Sequence, residues 1–111
     1  MVIMRVSDLI KALDLTVLTP DFEDRSVTGC YIGDLLSWVM GKAQQGDVWI
    51  TIMNNINIVA VAALTDCACI LLCEGVAATP EIIAKAATED IIILSSEKTA
   101  FELAKSISGV L

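Results

Sequence analysis

The chain has 111 residues, 56% of them hydrophobic and 19% charged, which excludes general disorder and fits one domain over residues 1–111 rather than two. Seven basic residues face 14 acidic ones, a net charge of -7, so the protein's field repels phosphate backbones and anionic lipid, and neither nucleic acid nor a membrane is an expected partner. The richest apolar stretch, Ile56 to Cys73, is broken by Asn57, Thr65 and Asp66, short of the roughly 20 residues of a span, and the opening residues carry no run like a secretory signal, so a cytoplasmic protein is expected.

Ser7 is placed to cap a short helix with Leu9, Ile10 and Leu13 on one side, and Leu15 to Leu18 follows as a strand. Pro20 with Asp21, Glu23 and Asp24 marks a loop, after which Ser26 to Tyr31 has strand composition interrupted by Gly29. Asp34 is the expected N-cap of the next helix, where Leu35, Leu36, Val39, Met40 and Ala43 recur as a buried face requires and Gly46 ends the element. Val48 to Ile52 reads as a third strand. Asn57 to Leu64 is apolar all round and fits a buried helix or a buried strand; a helix is expected, because a parallel sheet needs a crossover here.

Cys69 to Leu72 is the next expected strand. Thr79-Pro80-Glu81 combines a capping hydroxyl, a first-turn proline and an early acid, and so predicts a helix start with Ile82, Ile83, Ala86 and Ala87 turned inward. Ile91 to Leu94 has the continuous apolar character of a strand covered on both faces, and a last helix runs from about Ser96 towards Gly109 with Ala100, Leu103 and Ile107 inward. The alternation predicts an α/β fold, a three-layer α/β/α domain with a mainly parallel sheet of about five strands.

The chain has no histidine, which removes the commonest general base at neutral pH and the commonest metal ligand. No Ser-His-Asp, Cys-His or histidine-based zinc site can be assembled. The glycine-rich signatures of nucleoside triphosphate and dinucleotide cradles are absent too. Asp21, Glu23 and Asp24 read as a solvated acidic turn. Arg25, one of 2 arginines, has two readings: an ion pair with a neighbouring acid that pins the loop, or a contact to an anionic ligand.

The four cysteines, Cys30, Cys67, Cys69 and Cys73, come without an export signal and read as free thiols in a reducing compartment. On a strand, Cys69 and Cys73 share a face about 13 Å apart, at roughly 3.3 Å per residue, too far for one small metal site. They read as small buried apolar groups, with a metal or redox role as the competing reading. Trp49 is expected in the core; Trp38 lies off the main stripe of its helix and is either packed or a surface anchor.

Ser7-Asp8-Leu9-Ile10, Asp24-Arg25-Ser26-Val27-Thr28-Gly29-Cys30-Tyr31, Gly33-Asp34-Leu35-Leu36-Ser37, Gly46-Asp47-Val48-Trp49-Ile50-Thr51-Ile52 and Asn57-Ile58-Val59-Ala60-Val61-Ala62 together resemble the DRTGG domain. That family is similar to the middle segment of phosphotransacetylases, to modules beside CBS domains in inorganic pyrophosphatases, and to the N-terminal domain of HPr kinase/phosphorylase. The resemblance implies a small α/β module without chemistry of its own. Its matching residues here are Asp24, Arg25, Thr28 and Gly29. Cys30 stands at the second glycine position, where a side chain restricts φ and fills space, and Asn55 lies near a position where the family often carries histidine.

The leading expectation is a non-catalytic regulatory or interaction module, a homodimer acting on an unidentified protein partner, with Trp38, Ile58 and Val61 at or behind the association surface. The alternative is a sensor of a small anionic metabolite or nucleotide at Asp24, Arg25, Thr28 and Gly29, with Thr51 and Asn55 contributing. A cysteine-based metal or redox protein is the third. No cofactor is implied.

Overall fold

The computed structural model describes residues 3–111. Its elements in chain order are α1 (Val6–Leu13), β1 (Thr16–Val17), β2 (Gly29–Ile32), α2 (Leu36–Lys42), β3 (Asp47–Thr51), α3 (Asn57–Thr65), β4 (Cys69–Leu72), α4 (Pro80–Thr88), β5 (Ile93–Ser95) and α5 (Ala100–Val110). The strands form one sheet in the order β1-β5-β4-β3-β2. β2 through β5 run parallel, and β1 closes the β5 side antiparallel, with Thr16 opposite Ser95.

Strand order follows chain order from β2 to β5, so successive right-handed crossovers place α2, α3 and α4 on the same face. Two separate cores result. Val48, Ile50, Cys69, Leu71 and Leu94 pack with Val6, Leu9 and Leu13 of α1 and with Leu103 and Ile107 of α5. The alternate strand residues Trp49, Ile70, Leu72 and Ile93 pack with Val39 of α2, Ile58, Val59, Val61 and Ala62 of α3, and Ile82 and Ala86 of α4. Every residue of β3 and β4 is buried, the signature of parallel strands covered on both faces. The expected three-layer α/β/α fold is therefore present. Among the described residues no helix is long and apolar enough to cross a membrane.

Several local expectations are corrected by longer-range partners. Ser7 is inside α1 rather than at its cap: the N-cap position is Arg5, whose amide donates to Asp8 Oδ2 at 3.0 Å. Asp34 does not cap α2, which follows Leu35 without a side-chain cap. Its Oδ1 instead accepts from Thr51 Oγ1 at 2.8 Å and from the Ile52 amide at 2.9 Å, tying the end of β2 to the end of β3. Leu35 and Met40 are exposed, and the inner face of α2 is Leu36, Val39 and Ala43. β2 begins at Gly29 instead of being interrupted by it. Ala87 faces solvent. The last helix starts after Thr99, not at Ser96, through a reciprocal capping box with Glu102.

The start of α4 matches its sequence signature: Thr79 Oγ1 accepts from the Ile82 amide at 3.3 Å, with Pro80 in the first turn. Thr79→Ala is expected to lower the unfolding free energy by ~1 kcal/mol. A shift of the urea midpoint at unchanged slope is the measurement, and Thr88→Ala on the exposed far end is its control.

Candidate functional site

Asp24, Arg25, Thr28 and Gly29 lie together at the edge of the sheet where the parallel strands begin. Between them they are committed to three neighbouring segments. Asp24 reaches the first turn of α1, where Oδ1 accepts the Ser7 amide at 3.0 Å and Oδ2 accepts the Ser7 hydroxyl. It also accepts its neighbour's amide, from Arg25, at 3.1 Å. A carboxylate here satisfies an orphan amide and meets the positive end of the helix. Desolvation works to raise its pKa, but the Ser7 and Arg25 hydrogen bonds and the nearby Arg5 charge outweigh it and hold Asp24 below its ordinary value.

Arg25 spans to the other end of the helix set. Its guanidinium donates to the Cys67 carbonyl at 2.7 Å and pairs with Asp66. Asp66 is the left-handed residue, φ 55°, that terminates α3. A cation at a helix C-terminus is favourable, and the fork of the guanidinium serves a carboxylate and a carbonyl at once. Arg25 therefore makes an ion pair that pins the loop, but its partner is distant Asp66 and not the acids beside it in sequence.

Thr28 and Gly29 lock onto the turn between α2 and β3. The Thr28 amide donates to the Gly46 carbonyl at 3.0 Å and its hydroxyl to the Gln45 carbonyl at 3.2 Å. Gly46 has φ 83°, and a Cβ there would collide with Thr28 Oγ1. Across the β2–β3 pair, a Cβ on Gly29 would sit 2.5 Å from Asp47 Oδ1. Asp47 is itself buried, with Oδ2 accepting the Gln44 amide at 2.8 Å. Gly29 is thus required by its neighbour's carboxylate. Cys30, in contrast, turns into the core between the sheet and α1 and does not line the cleft, so a side chain at this position fills core space and obstructs nothing here.

These residues frame an open cleft of about 520 Å³, lined also by Ser26, Gln45, Asp66 and Ala68. Its rim is formed by the C-terminal ends of α2 and α3, whose dipoles disfavour anions. Thr51 and Asn55 lie elsewhere. β3 separates them from Gly29 by about 13 Å, at ~3.3 Å per residue, placing them where the strands end. Thr51 is buried and bonded to Asp34, and Asn55 accepts the Asn57 amide at 2.9 Å to open α3. The expected six-residue site is therefore two groups at opposite edges of the sheet. Ser7, Asp47 and Asp66 complete the first group and carry no local sequence signal; Asp66 is 41 positions from Arg25.

Of the expected association residues, Trp38 is 58% exposed, whereas Ile58 and Val61 are buried beneath α3 in the monomer's own core. They are not themselves on the surface; on the outer side of the same helix Ala60, Ala63 and Leu64 are exposed. The cysteines are spread over both cores, with Cys69 and Cys73 on one side of the sheet and Cys67 on the other. Among the described residues no three His, Cys, Asp or Glu side chains are grouped as a metal requires. Burial chiefly, with the Asp47 charge, pushes the Cys30 thiol up to about 11. Burial likewise raises Cys67 to about 11, and Cys69 and Cys73 are raised as well.

A three-layer α/β module whose loop motif joins three neighbouring segments is the class that fold and site define. The sequence matches the model of the DRTGG domain over residues 8–110, and the chain belongs to that family. Its fold is similar to the crystal structure of the CBS and DRTGG domains of the regulatory region of Clostridium perfringens pyrophosphatase complexed with its activator, diadenosine tetraphosphate. The TM-score is 0.75 at 15% identity, covering 92% of this chain and 45% of that one. This chain thus spans less than half of the pyrophosphatase segment, and at that identity the likeness is one of fold. No curated protein sequence matches it.

Asp24 predicts an acid-limb effect of definite sign. Its folded pKa lies below its ordinary value of 3.8, so its contribution is complete above about pH 4 and lost as pH falls through the folded value. The stability difference between wild type and Asp24→Asn is therefore expected to be constant above about pH 5 and to shrink below pH 4, read from urea midpoints across pH. Arg25→Ala is expected to cost about 1–2 kcal/mol, because the pair is half exposed and the Cys67 carbonyl loses its donor. A matched loss in Asp66→Asn, with a coupling term in the double mutant, would verify the pair.

Proposed function

We propose that this DRTGG domain is a non-catalytic regulatory module that self-associates and acts on another protein. The carrying observation is an apolar surface at the free side of the sheet. Ile32, Leu35, Trp38 and Ile52 are 49%, 61%, 58% and 45% exposed. Their backbones are held near one another, because Asp34 ties the β2–α2 junction to the Ile52 amide and the Gly33 amide donates to the Ile50 carbonyl. Among the described residues β2 pairs only with β3, so this patch adjoins a sheet edge with no described strand beside it. Clustered aromatic and aliphatic groups beside an open edge favour association. Lys42 lies 4.8 Å from the Trp38 ring centroid and leaves most of the ring in water. A regulatory role is supported by family membership and by the similar fold within the regulatory region of a pyrophosphatase.

A sensor reading is favoured by one observation, the cleft of about 520 Å³ at the motif, together with the nucleotide activator bound to the regulatory region of similar fold. A ligand phosphate would have to take the Arg25 guanidinium from Asp66. The two readings separate experimentally. Self-association predicts a dimer in sedimentation equilibrium and a dissociation constant raised roughly tenfold or more by Trp38→Asp. A monomer at high micromolar concentration, or a Trp38→Asp protein that associates as wild type does, would remove that part of the proposal. Sensing predicts heat of binding with diadenosine tetraphosphate or adenosine nucleotides that disappears in Arg25→Ala; calorimetry without an Arg25-dependent signal counts against it.

A further inference from the structure

A second surface lies on the layer opposite α2. α1 and α5 pack side by side beneath the sheet, and between their outer sides runs a groove of about 570 Å³. Phe101 and Val110 supply its apolar part and are 75% and 37% exposed. Phe101, Lys105 and Gly109 follow one another at four-residue spacing on one side of α5, and a side chain at Gly109 would meet open space, so the groove is accessible along its length.

The charge in this groove is opposite to that of the molecule. Lys98 and Lys105 line it, and neither forms an ion pair among the described residues, where the pairs are Arg25 with Asp66 and Lys85 with Glu89. The carboxylate that also lines the groove, Glu102, is committed to the α5 cap, accepting the Thr99 amide at 3.1 Å. On a chain of net charge -7, two ammonium groups against the single Glu102 carboxylate leave a local excess of positive charge beside an exposed phenyl ring, a site for negative charge next to apolar surface.

We propose that this groove docks an amphipathic helical segment of a partner protein, one that places a large apolar side chain against Phe101 and Val110 and acidic side chains against Lys98 and Lys105. A helix laid between two helices exploits the groove's length, and the complementary charge selects an acidic segment over a neutral one. The proposal rests on the domain being an interaction module but not on its self-association, because the groove and the Trp38 surface belong to different layers of the fold. Both can be occupied at once.

The test is a titration of the isotope-labelled domain, followed by amide chemical shifts, with a synthetic amphipathic peptide of roughly 16 residues carrying leucines on one face and glutamates on the other. A matched peptide has lysine for glutamate. The expected result is shifts centred on Lys98, Phe101, Lys105 and Val110 with the acidic peptide, weakened by salt. Lys98→Glu/Lys105→Glu should bind roughly tenfold or more weakly with an unchanged circular dichroism spectrum, and Lys98→Arg/Lys105→Arg should retain binding. Absence of shifts at millimolar peptide, equal binding of the lysine peptide, or shifts centred on β2 and α2 would overturn the proposal. A changed sedimentation behaviour of Lys98→Glu/Lys105→Glu would assign the groove to a second copy and overturn it equally. Trp38→Asp should leave the titration untouched, so failure here is distinguishable from failure of self-association.

Discussion

The arrangement depends on one six-residue constraint. Between Asp24 and Gly29 the chain fastens the start of α1, the end of α3 and the turn before β3 to one another, each through a different chemical group. Carboxylate meets helix amides, guanidinium meets a helix C-terminus, and a hydroxyl with a bare Cα meets a tight turn. α1 lies in one outer layer and α3 in the other, so these bonds hold both layers to the same sheet edge from outside the cores. Hydrophobic burial alone would leave the layers free to slide; directed polar contacts fix their register.

An arginine beside an aspartate in a loop invites a ligand, yet the charge of Arg25 is consumed by Asp66. Parallel α/β sheets ordinarily collect ligands where the strands end and the chain reverses its direction of winding. Here strand order never reverses between β2 and β5, and where β4 and β5 end there is only a small cavity of about 170 Å³. Where β3 ends, the chain is tied down by local bonds: Asp34 with Thr51, Asn55 with Asn57, and Asn54 with the Ala77 carbonyl.

Much of the fold was legible because its signals are local. Thr79-Pro80-Glu81 marks a helix start in any context, and the apolar runs at Cys69 and Ile91 are too short and too continuous for anything but buried strands. Periodicity could not orient α3, which is apolar on all sides; only packing decides that Ile58 and Val61 go inward while Ala60 and Leu64 go out. Ser7 and Asp34 have the right chemistry for caps, but Asp24 and Thr51 compete for them from 17 positions away. The partner of Arg25 was invisible for the same reason: its immediate neighbours are acids, and the one that wins is presented by a helix end on another part of the chain. Asp24, Arg25, Thr28 and Gly29 were located, but the choice between a pinning ion pair and a ligand contact for Arg25 could not be made, since a polar side chain satisfied at long range looks identical in sequence to one awaiting a ligand.

The two margins of the sheet are unequal. On one side β1 contributes two residues, continued by the Leu18 amide and Thr19 hydroxyl, each bonded to Ile93; on the other, β2 presents a full four-residue strand. A ribbon of backbone long enough to template another chain exists at one margin alone. Growth of the sheet by added copies is therefore self-limiting: two molecules meeting through β2 use up both of their long margins, and a third finds only the stub of β1. Two copies joined through β2 would have no long margin left to offer a third.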